Sequence, residues 1–455
     1  MTSLRATVIG GGLAGSEAAF QLASRGVSVD LVEMRPQVMS PAHHTGDLAE
    51  LVCSNSLKAD VGGRPSASAM LKSELASLGS LILACARASS VPAGTALAVD
   101  RAGFPAAVTR ALGSMPGMRI VRDQATELPY GQVIVATGPL TSPTFAAALS
   151  LLVGEERLAF YDAAAPIVDA ASIDRSVCFA ASRYDRGDGA DYLNCPLDRQ
   201  EYDEFVHALL ASERVTRRDF ESDELFRACQ PIEELARSGL DAARFGAMKP
   251  VGLIDPRTGR RPWAVVQLRP ENREGTAYNL VGFQTNLTFS EQRRVFSTIP
   301  GLKNAEFLRF GVMHRNTFVD APRLLTADLS LRAEPRIRLA GQLTGTEGYL
   351  EAAASGLLAA LGTYAALVAA PAVWLPRSTA LGALIAYATD PETSPYQPMH
   401  VNFGIMPPLD VPVRDKLARH QALAARGAED MDAFLAQRAD LAFAHAARAL
   451  TAALP

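Results

Sequence analysis

Two glycine clusters and two cysteines in polar surroundings are the residues of this chain whose types and spacing could do chemistry. Gly10-x-Gly12-x-x-Gly15 sits between an apolar strand pattern and a helix, and the acidic Glu33 ends the next strand. Glycines at this spacing permit a tight turn, close approach of a phosphate and close helix packing. The helix amino terminus favours an anion, and the acid accepts from a ribose hydroxyl. The expected ligand is a dinucleotide, with Gly10, Gly11, Gly12, Leu13, Ala14 and Gly15 around its pyrophosphate. A second turn, Gly341-Gln342-x-x-Gly345, again stands between a strand and a helix, and a third strand runs into Ala136-Thr137-Gly138-Pro139. A late glycine turn that returns after an intervening stretch is common in two-dinucleotide-binding flavoproteins, which makes FAD the better expectation than NAD.

Cys53 lies in Glu50-Leu51-Val52-Cys53-Ser54-Asn55-Ser56-Leu57-Lys58, a polar stretch that ends in a cation, and Cys229 lies close to Arg227. Nearby positive charge favours the thiolate, the nucleophilic form. The competing fate of any cysteine is that of a small buried hydrophobe. Cys85 and Cys178, in apolar sequence, fit that fate, and Cys195 is undecided. His43-His44 lacks further ligands at helpful spacing, so no metal is expected. Tyr349 opens the helix after the second glycine turn, where it serves either to stack on a flavin or as a core aromatic.

These residues need a scaffold. Residues 5–33 read as strand, glycine turn, helix and strand, the start of a doubly wound parallel sheet. A polar loop over 36–58 follows, then a single helix carrying Met70, Leu71, Leu75, Leu78, Leu81 and Ile82. A helix over 103–112 and strands over 118–122 and 132–135 come next. From 151 to 323 the pattern becomes irregular strands, such as 263–268 and 278–283, with short helices between. The strand–turn–helix signature returns at 336–369, and 413–453 reads as a mostly polar-faced helical end. The expected fold is α/β: an FAD-binding doubly wound domain, Rossmann-like and of two-dinucleotide-binding type, made of 1–150 and 324–455, with an inserted α+β domain over 151–323.

Composition narrows the function further. At about 150 residues per domain, 455 residues make two or three domains. A net charge of −4, with 48% hydrophobic and 20% charged residues, excludes wholesale disorder and a uniformly basic nucleic-acid binder. Yet residues 244–323 hold 13 Lys and Arg against six Asp and Glu, a local +7 that leaves −11 for the rest. Clustered arginine is either solvated surface or the footprint of a polyanion site. Five widely spaced cysteines form no disulfide framework, and no signal peptide or membrane segment is read, so a reducing, cytoplasmic compartment is expected.

The glycine loop, Glu33-Met34-Arg35-Pro36, Pro41-Ala42-His43-His44-Thr45, the Cys53–Lys58 block, Met248-Lys249-Pro250-Val251-Gly252-Leu253, Val266-Gln267-Leu268-Arg269, Tyr278 to Thr285, Met313-His314-Arg315-Asn316-Thr317 and Gly345-x-Glu347-Gly348-Tyr349 together resemble the folate- and FAD-dependent tRNA (uracil-5-)-methyltransferases, the TrmFO family. The resemblance covers nearly the whole chain. It implies formation of 5-methyluridine at position 54 in the T-loop of tRNA. The carbon would come from 5,10-methylenetetrahydrofolate, and the electrons from NADH or NADPH through FAD. It further implies a catalytic set of Cys229 (the thiolate that attacks uracil), Cys53 (the second active-site cysteine) and Tyr349 (beside the flavin), with the two cysteine roles open to exchange. The expected cofactor-binding set adds Lys58, Gly138, Gly341 and Gln342 to the glycine loop and Glu33. Ala228, Ala247, Asn286 and Phe318 depart from the family pattern without removing an evident reacting group.

Uracil C5 is a poor nucleophile until a thiolate adds at C6 and converts the ring to an enolate, so this chemistry needs one activated cysteine. A base buried in a folded T-loop must also be flipped out, which asks for a basic, partly aromatic surface. The competing readings are a flavoprotein modifying another RNA uridine (wobble tRNA or ribosomal RNA), a small-molecule FAD oxidoreductase, and a non-catalytic flavin-bound RNA-binding module. The wobble-modifying relatives are longer chains with an added carboxyl-terminal helical domain.

Overall fold

The strand β1 (Arg5–Ile9) buries Ala6, Val8 and Ile9, and so can only be an inner strand. The computed structural model describes residues 4–441 apart from 41, 53, 60–64, 155–157, 160–161, 186–190, 216–229, 271–274, 276, 315–316, 394–395 and 397, with the backbone alone described at 158–159, 162–164, 308–309 and 312–314. β1 lies between β2 (Ser28–Glu33) and the strand Gln132–Val135, with Val8 opposite Leu31 on one side and Ile134 on the other. Met118–Arg122 extends the sheet beyond β2, and Ile337–Leu339 extends it beyond Gln132–Val135. All four pairings are parallel. In chain order the strands run 3-2-1-4-5, the doubly wound arrangement, which places a ligand cleft at the carboxyl ends where the order reverses.

The helix α1 (Leu13–Ala23) leaves β1 through the glycine loop and is buried along its whole length. Against it runs the helix Tyr349–Leu367, so closely that a methyl at Gly356 would run into the Ala14 carbonyl. By length and composition this 19-residue helix could cross a membrane, but 83% of its most apolar window is buried inside the fold.

The single helix expected across Met70–Ile82 is in fact two, Ala67–Ser77 and Leu81–Ala88, bent by 109°. Gly79 takes φ +68 and Ser80 restarts the chain as an N-cap. The second helix begins where buried Glu17 of α1 accepts from Ser80 Oγ (2.7 Å) and Ile82 N (2.9 Å). An apolar repeat that continues in step on both sides of a break hides it. Two smaller differences follow the same lines: the strand expected to reach Phe283 ends at Leu280, and the carboxyl-terminal helix is Lys416–Gln437 within the described residues.

Between the two halves of this unit lies a separate six-stranded antiparallel sheet. Its strands, in spatial order, are Phe179–Ala180, Leu193–Leu197, Ala264–Pro270, Ala277–Leu280, Ile167–Asp169 and Phe307–Arg309. It has its own core, in which Phe205, Phe283 and Phe296 meet ring to ring. Ala264–Pro270 is buried at every residue, as the central strand of a covered sheet must be.

Candidate functional site

The turn after β1 is shaped by what a side chain would strike. A methyl at Gly10, where φ is +100, would meet the Ala136 carbonyl, and one at Gly15 would meet the Gly10 carbonyl. Gly12 is different: a methyl there has no protein atom within 4 Å. No packing within the protein forces glycine at position 12, and the residue lines an open cleft. The amino terminus of α1 behind it has no side-chain cap, leaving its first N–H groups for an anion.

Glu33 stands at the end of β2. Its Oε2 accepts from Gly11 N (2.7 Å), and its Oε1 accepts from the backbone N (3.0 Å) and Nε (2.8 Å) of Arg35. Burial would raise the Glu33 carboxyl, but the hydrogen bonds and charge of Arg35 hold it below the ordinary value. Arg35, 1% exposed, also donates from Nη1 to Glu50 Oε2 (3.0 Å). Glu50 accepts in turn from His44 N (2.9 Å) and Thr45 N (3.1 Å). The polar loop expected over 36–58 is therefore folded back onto the ribose end of the site. His43, bonded to Ser40 Oγ through Nδ1 (2.6 Å), is pushed down to about 4 by burial and by the Arg35 charge, so its ring is neutral at pH 7.

A cleft opens over these residues. Gly10, Gly12, Leu13, Ala14, Glu33, Gly138, Gly341, Gln342 and Tyr349, all singled out from sequence, line it together with Arg35, His43 and Glu50. Gly11 and Gly15 stand behind it, the first fixing Glu33 and the second closing the turn. The second glycine turn is tied down by Gly341 N donating to Ser355 Oγ (2.8 Å), and by the Thr344 and Thr346 hydroxyls donating to the Gly341 carbonyl.

Lys58 is placed elsewhere than the glycine loop. Its Nζ donates to Glu351 Oε1 (2.6 Å) in the first turn of the helix that Tyr349 opens. Its backbone takes φ +63, and the buried Lys72 ammonium pins that conformation by donating to the Lys58 carbonyl (3.0 Å) and to that of Ala59. A left-handed lysine is a strained choice that surrounding contacts must hold.

Cys53 and Cys229 lie outside the described residues. The residues just after Cys53 are well held, however. Arg269 of the antiparallel sheet donates from Nε to Asn55 Oδ1 (2.9 Å) and from Nη2 to Ser54 Oγ (2.7 Å), and Asn55 Nδ2 donates back to the Pro270 and Val99 carbonyls (3.0 Å each). Cys85, Cys178 and Cys195 are buried, as the hydrophobe reading expects of the first two; burial and the charge of Glu17 push the Cys85 thiol up to about 12. Among the described residues no group of three or more His, Cys, Asp or Glu is placed to hold a metal ion.

Sequence reasoning missed Arg35, His43, Glu50 and Arg269 as site residues. Arg35 adjoins Glu33 in sequence and offered a signal. The Arg269–Asn55 contact joins residues far apart in the chain and offered none.

An open position at Gly12, an uncapped helix terminus, an ionised acid at the strand end and a second glycine turn across the cleft fit an extended dinucleotide. Fold and site thus define a Rossmann-like protein of the FAD-binding, doubly wound class. Comparison with known proteins carries this to a family. The model for glucose inhibited division protein A matches residues 5–370. The methylenetetrahydrofolate–tRNA-(uracil-5-)-methyltransferase TrmFO of Moorella thermoacetica is 54% identical over 423 residues, 93% of this chain and 96% of that protein. The TrmFO of Geobacter sulfurreducens is 55% identical over 433 residues, 94% and 98%. The chain belongs to the TrmFO family, within the wider group that the glucose inhibited division protein A model describes. In fold it is similar to GidA of Aquifex aeolicus, with a TM-score of 0.67 at 15% identity, covering 95% of this chain and 74% of that one.

Proposed function

We propose that this protein forms 5-methyluridine in the T-loop of tRNA, at position 54, with 5,10-methylenetetrahydrofolate as carbon donor and NADH or NADPH as reductant. The observation that carries this reading is identity above 50% over nearly the whole chain with proteins named for that reaction, joined to a cleft that fits FAD. Residues 1–150 and 324–455 are assigned to FAD, and 151–323 to the RNA side. A cytoplasmic setting follows from the substrates.

When bound, FAD supplies the redox chemistry that turns a methylene-level carbon into a methyl group. The chain's own residues do the rest. The N–H groups at the start of α1 would hold the pyrophosphate, and Gly12 would let it approach. Glu33, kept ionised by Arg35, would accept from a ribose hydroxyl. Gly138, Gly341, Gln342 and Tyr349, which line the same cleft, would hold the rest of the cofactor. Cys229 as thiolate adds to uracil C6, so that the C6–S bond forms and the electron pair moves onto the C4 carbonyl oxygen. The resulting enolate makes C5 nucleophilic toward the one-carbon unit. C5 then gives its proton to a base, a role Cys53 could fill; the bond between the one-carbon unit and its carrier breaks to leave an exocyclic methylene, hydride from the reductant turns this into methyl, and expulsion of the Cys229 thiolate from C6 restores the C5–C6 double bond. Cys53 assists on the flavin side, beside a segment that Arg269 holds from the other domain.

The test is incubation of the protein with an unmodified tRNA transcript, methylenetetrahydrofolate and NADPH or NADH, followed by nucleoside analysis. 5-Methyluridine at position 54, dependent on folate, is the expected product; its absence with flavin-loaded protein refutes the reading. A transcript carrying 5-fluorouridine at the target should trap wild-type protein covalently. Cys53→Ala and Cys229→Ala should both lose turnover, and only Cys229→Ala should lose the adduct. An adduct that survives in Cys229→Ala but not in Cys53→Ala reverses the two roles.

A further inference from the structure

The antiparallel sheet carries a second opening, a groove where Leu197 and Ala264 pair at the ends of the strands Leu193–Leu197 and Ala264–Pro270. Five arginines border it: Arg199, Arg244, Arg257, Arg260 and Arg261. Three carboxylates share the lining, and each is occupied. Asp255 binds Arg257 (2.8 Å), while Asp198 and Glu201 form a capping box with each other's backbone. Trp263 lies under two of the arginines, with Arg244 at 3.7 Å and Arg199 at 5.4 Å from its ring centroid. Stacking on a ring orients these guanidinium groups, and each also pairs with a carboxylate, Arg244 with Asp241 (3.6 Å) and Arg199 with Asp203 (3.9 Å). Arg260 and Arg261 are exposed and, among the described residues, form no ion pair. Phe245, 75% exposed, stands on the rim.

A neighbouring arginine, Arg294, behaves otherwise: it is committed to Glu291 (2.5 Å) and also reaches Ser212. Arg260 and Arg261 leave positive charge at the groove that no described carboxylate pairs, although the chain as a whole is acidic.

The strand Ala264–Pro270 relates the groove to the cleft. Its far end, Arg269 and Pro270, clasps Ser54 and Asn55, while its near end adjoins Trp263. Seven strand residues at about 3.3 Å each separate the groove from that clasp, which follows the cleft-lining Val52 in sequence, by roughly 20 Å. A ligand whose reacting base enters the cleft would need to extend that far to touch the groove. A folded RNA does, and what it presents at that distance is its phosphate backbone.

We propose that this groove is a docking site for RNA phosphates, about 20 Å along the strand from the clasp on Ser54 and Asn55, which grips the backbone without reading sequence. The proposal rests on the tRNA reading above, and it specifies where the substrate is held. Arg260 and Arg261 are its free charges, Arg199 and Arg244 its oriented ones.

The experiment measures binding of an unmodified tRNA transcript to the full-length, flavin-loaded protein across a salt series, for wild type and for Arg260→Gln/Arg261→Gln. Loss of two phosphate contacts lowers the slope of log K against log salt by about 1.5. Between 50 and 200 mM salt the wild type should thus lose about eightfold more affinity than the variant. Both substitutions are on exposed side chains, and equal flavin content and melting temperature verify the fold. Arg199→Gln, at a groove residue whose ion pair with Asp203 (3.9 Å) is exposed, should lower the slope by at most about 0.9. A slope and affinity unchanged in both variants overturn the proposal. So does competition by polyaspartate as effective as that by RNA of equal charge, which would make the groove a site for acidic proteins. Nucleoside analysis of the wild-type reaction is scored separately: no 5-methyluridine refutes the proposed function and leaves the slope comparison standing.

Discussion

Arg269→Lys tests whether the antiparallel sheet positions the Cys53 segment or merely packs beside it. Arg269 is 6% exposed and gives two charge-assisted hydrogen bonds, to Asn55 Oδ1 at 2.9 Å and Ser54 Oγ at 2.7 Å. Bonds of this kind are worth about 1.5 to 3 kcal/mol each. Lysine keeps the charge and can satisfy one acceptor but lacks the planar fork that reaches both. The net loss is then one such bond, about 2 kcal/mol, with Asn55 still anchored by its amide donating to the Val99 and Pro270 carbonyls. Because the bond broken is local, part of the loss should appear as displacement of residues 54–55 rather than as global unfolding. Since about 1.4 kcal/mol corresponds to a factor of ten, kcat should fall about ten-fold or more. Flavin content should stay at the wild-type level, because Arg269 does not line the cleft. The assay is steady-state methylation of a tRNA transcript, with kcat and KM separated and the melting temperature recorded. A variant that melts earlier yet keeps the wild-type kcat would show that the clasp is structural only, and the positioning argument would fail.

Gly12→Val should keep the fold, because the Cβ it adds has no protein atom within 4 Å, and should lose the yellow flavin absorbance; retention of that absorbance at full occupancy removes the assignment of the pyrophosphate to this turn. Glu74 accepts from Ala380 N (2.6 Å) and Leu381 N (2.9 Å) at the start of a helix, and burial pushes its carboxyl up to about 7 against those bonds. Its folded value thus exceeds the unfolded one near 4.3, so the native state holds the proton more tightly, and this group's contribution to stability is full below pH 4.3 and is lost as pH rises to about 7. Glu74→Gln should flatten that segment of a stability-against-pH curve, by up to about 3 kcal/mol; denaturant melts of both proteins at pH 5 and 8 that differ by the same amount would refute the assignment.

The parts of the molecule legible in sequence are those in which neighbours along the chain are also neighbours in space. Buried parallel strands must be apolar on both faces, so β1 and Gln132–Val135 read as short apolar runs, and the glycine loop reads because its turn, cradle and acid fall within one strand–helix–strand unit. The cleft's second wall was legible for the same reason, Gly341 to Tyr349 being another local unit. What escaped was assembled across distance, or masked by continuity of pattern. The break at Gly79 is invisible to spacing, because Leu75, Leu78, Leu81 and Ile82 keep step through it; the glycine–serine pair was the only local mark, and the buried Glu17 that fixes the new helix start comes from α1. The charge count over 244–323 located a basic region but weighed every arginine alike. Ion pairing decides which of them matter: Arg294 is spent on Glu291, whereas Arg260 and Arg261 are not spent on anything described. A surplus of positive charge in sequence therefore marks where a polyanion site can be, and only the partners of each side chain show which charges remain for a ligand. By that criterion Arg260 and Arg261, beside Trp263, are favoured over Arg294, which the charge count alone could not separate from them.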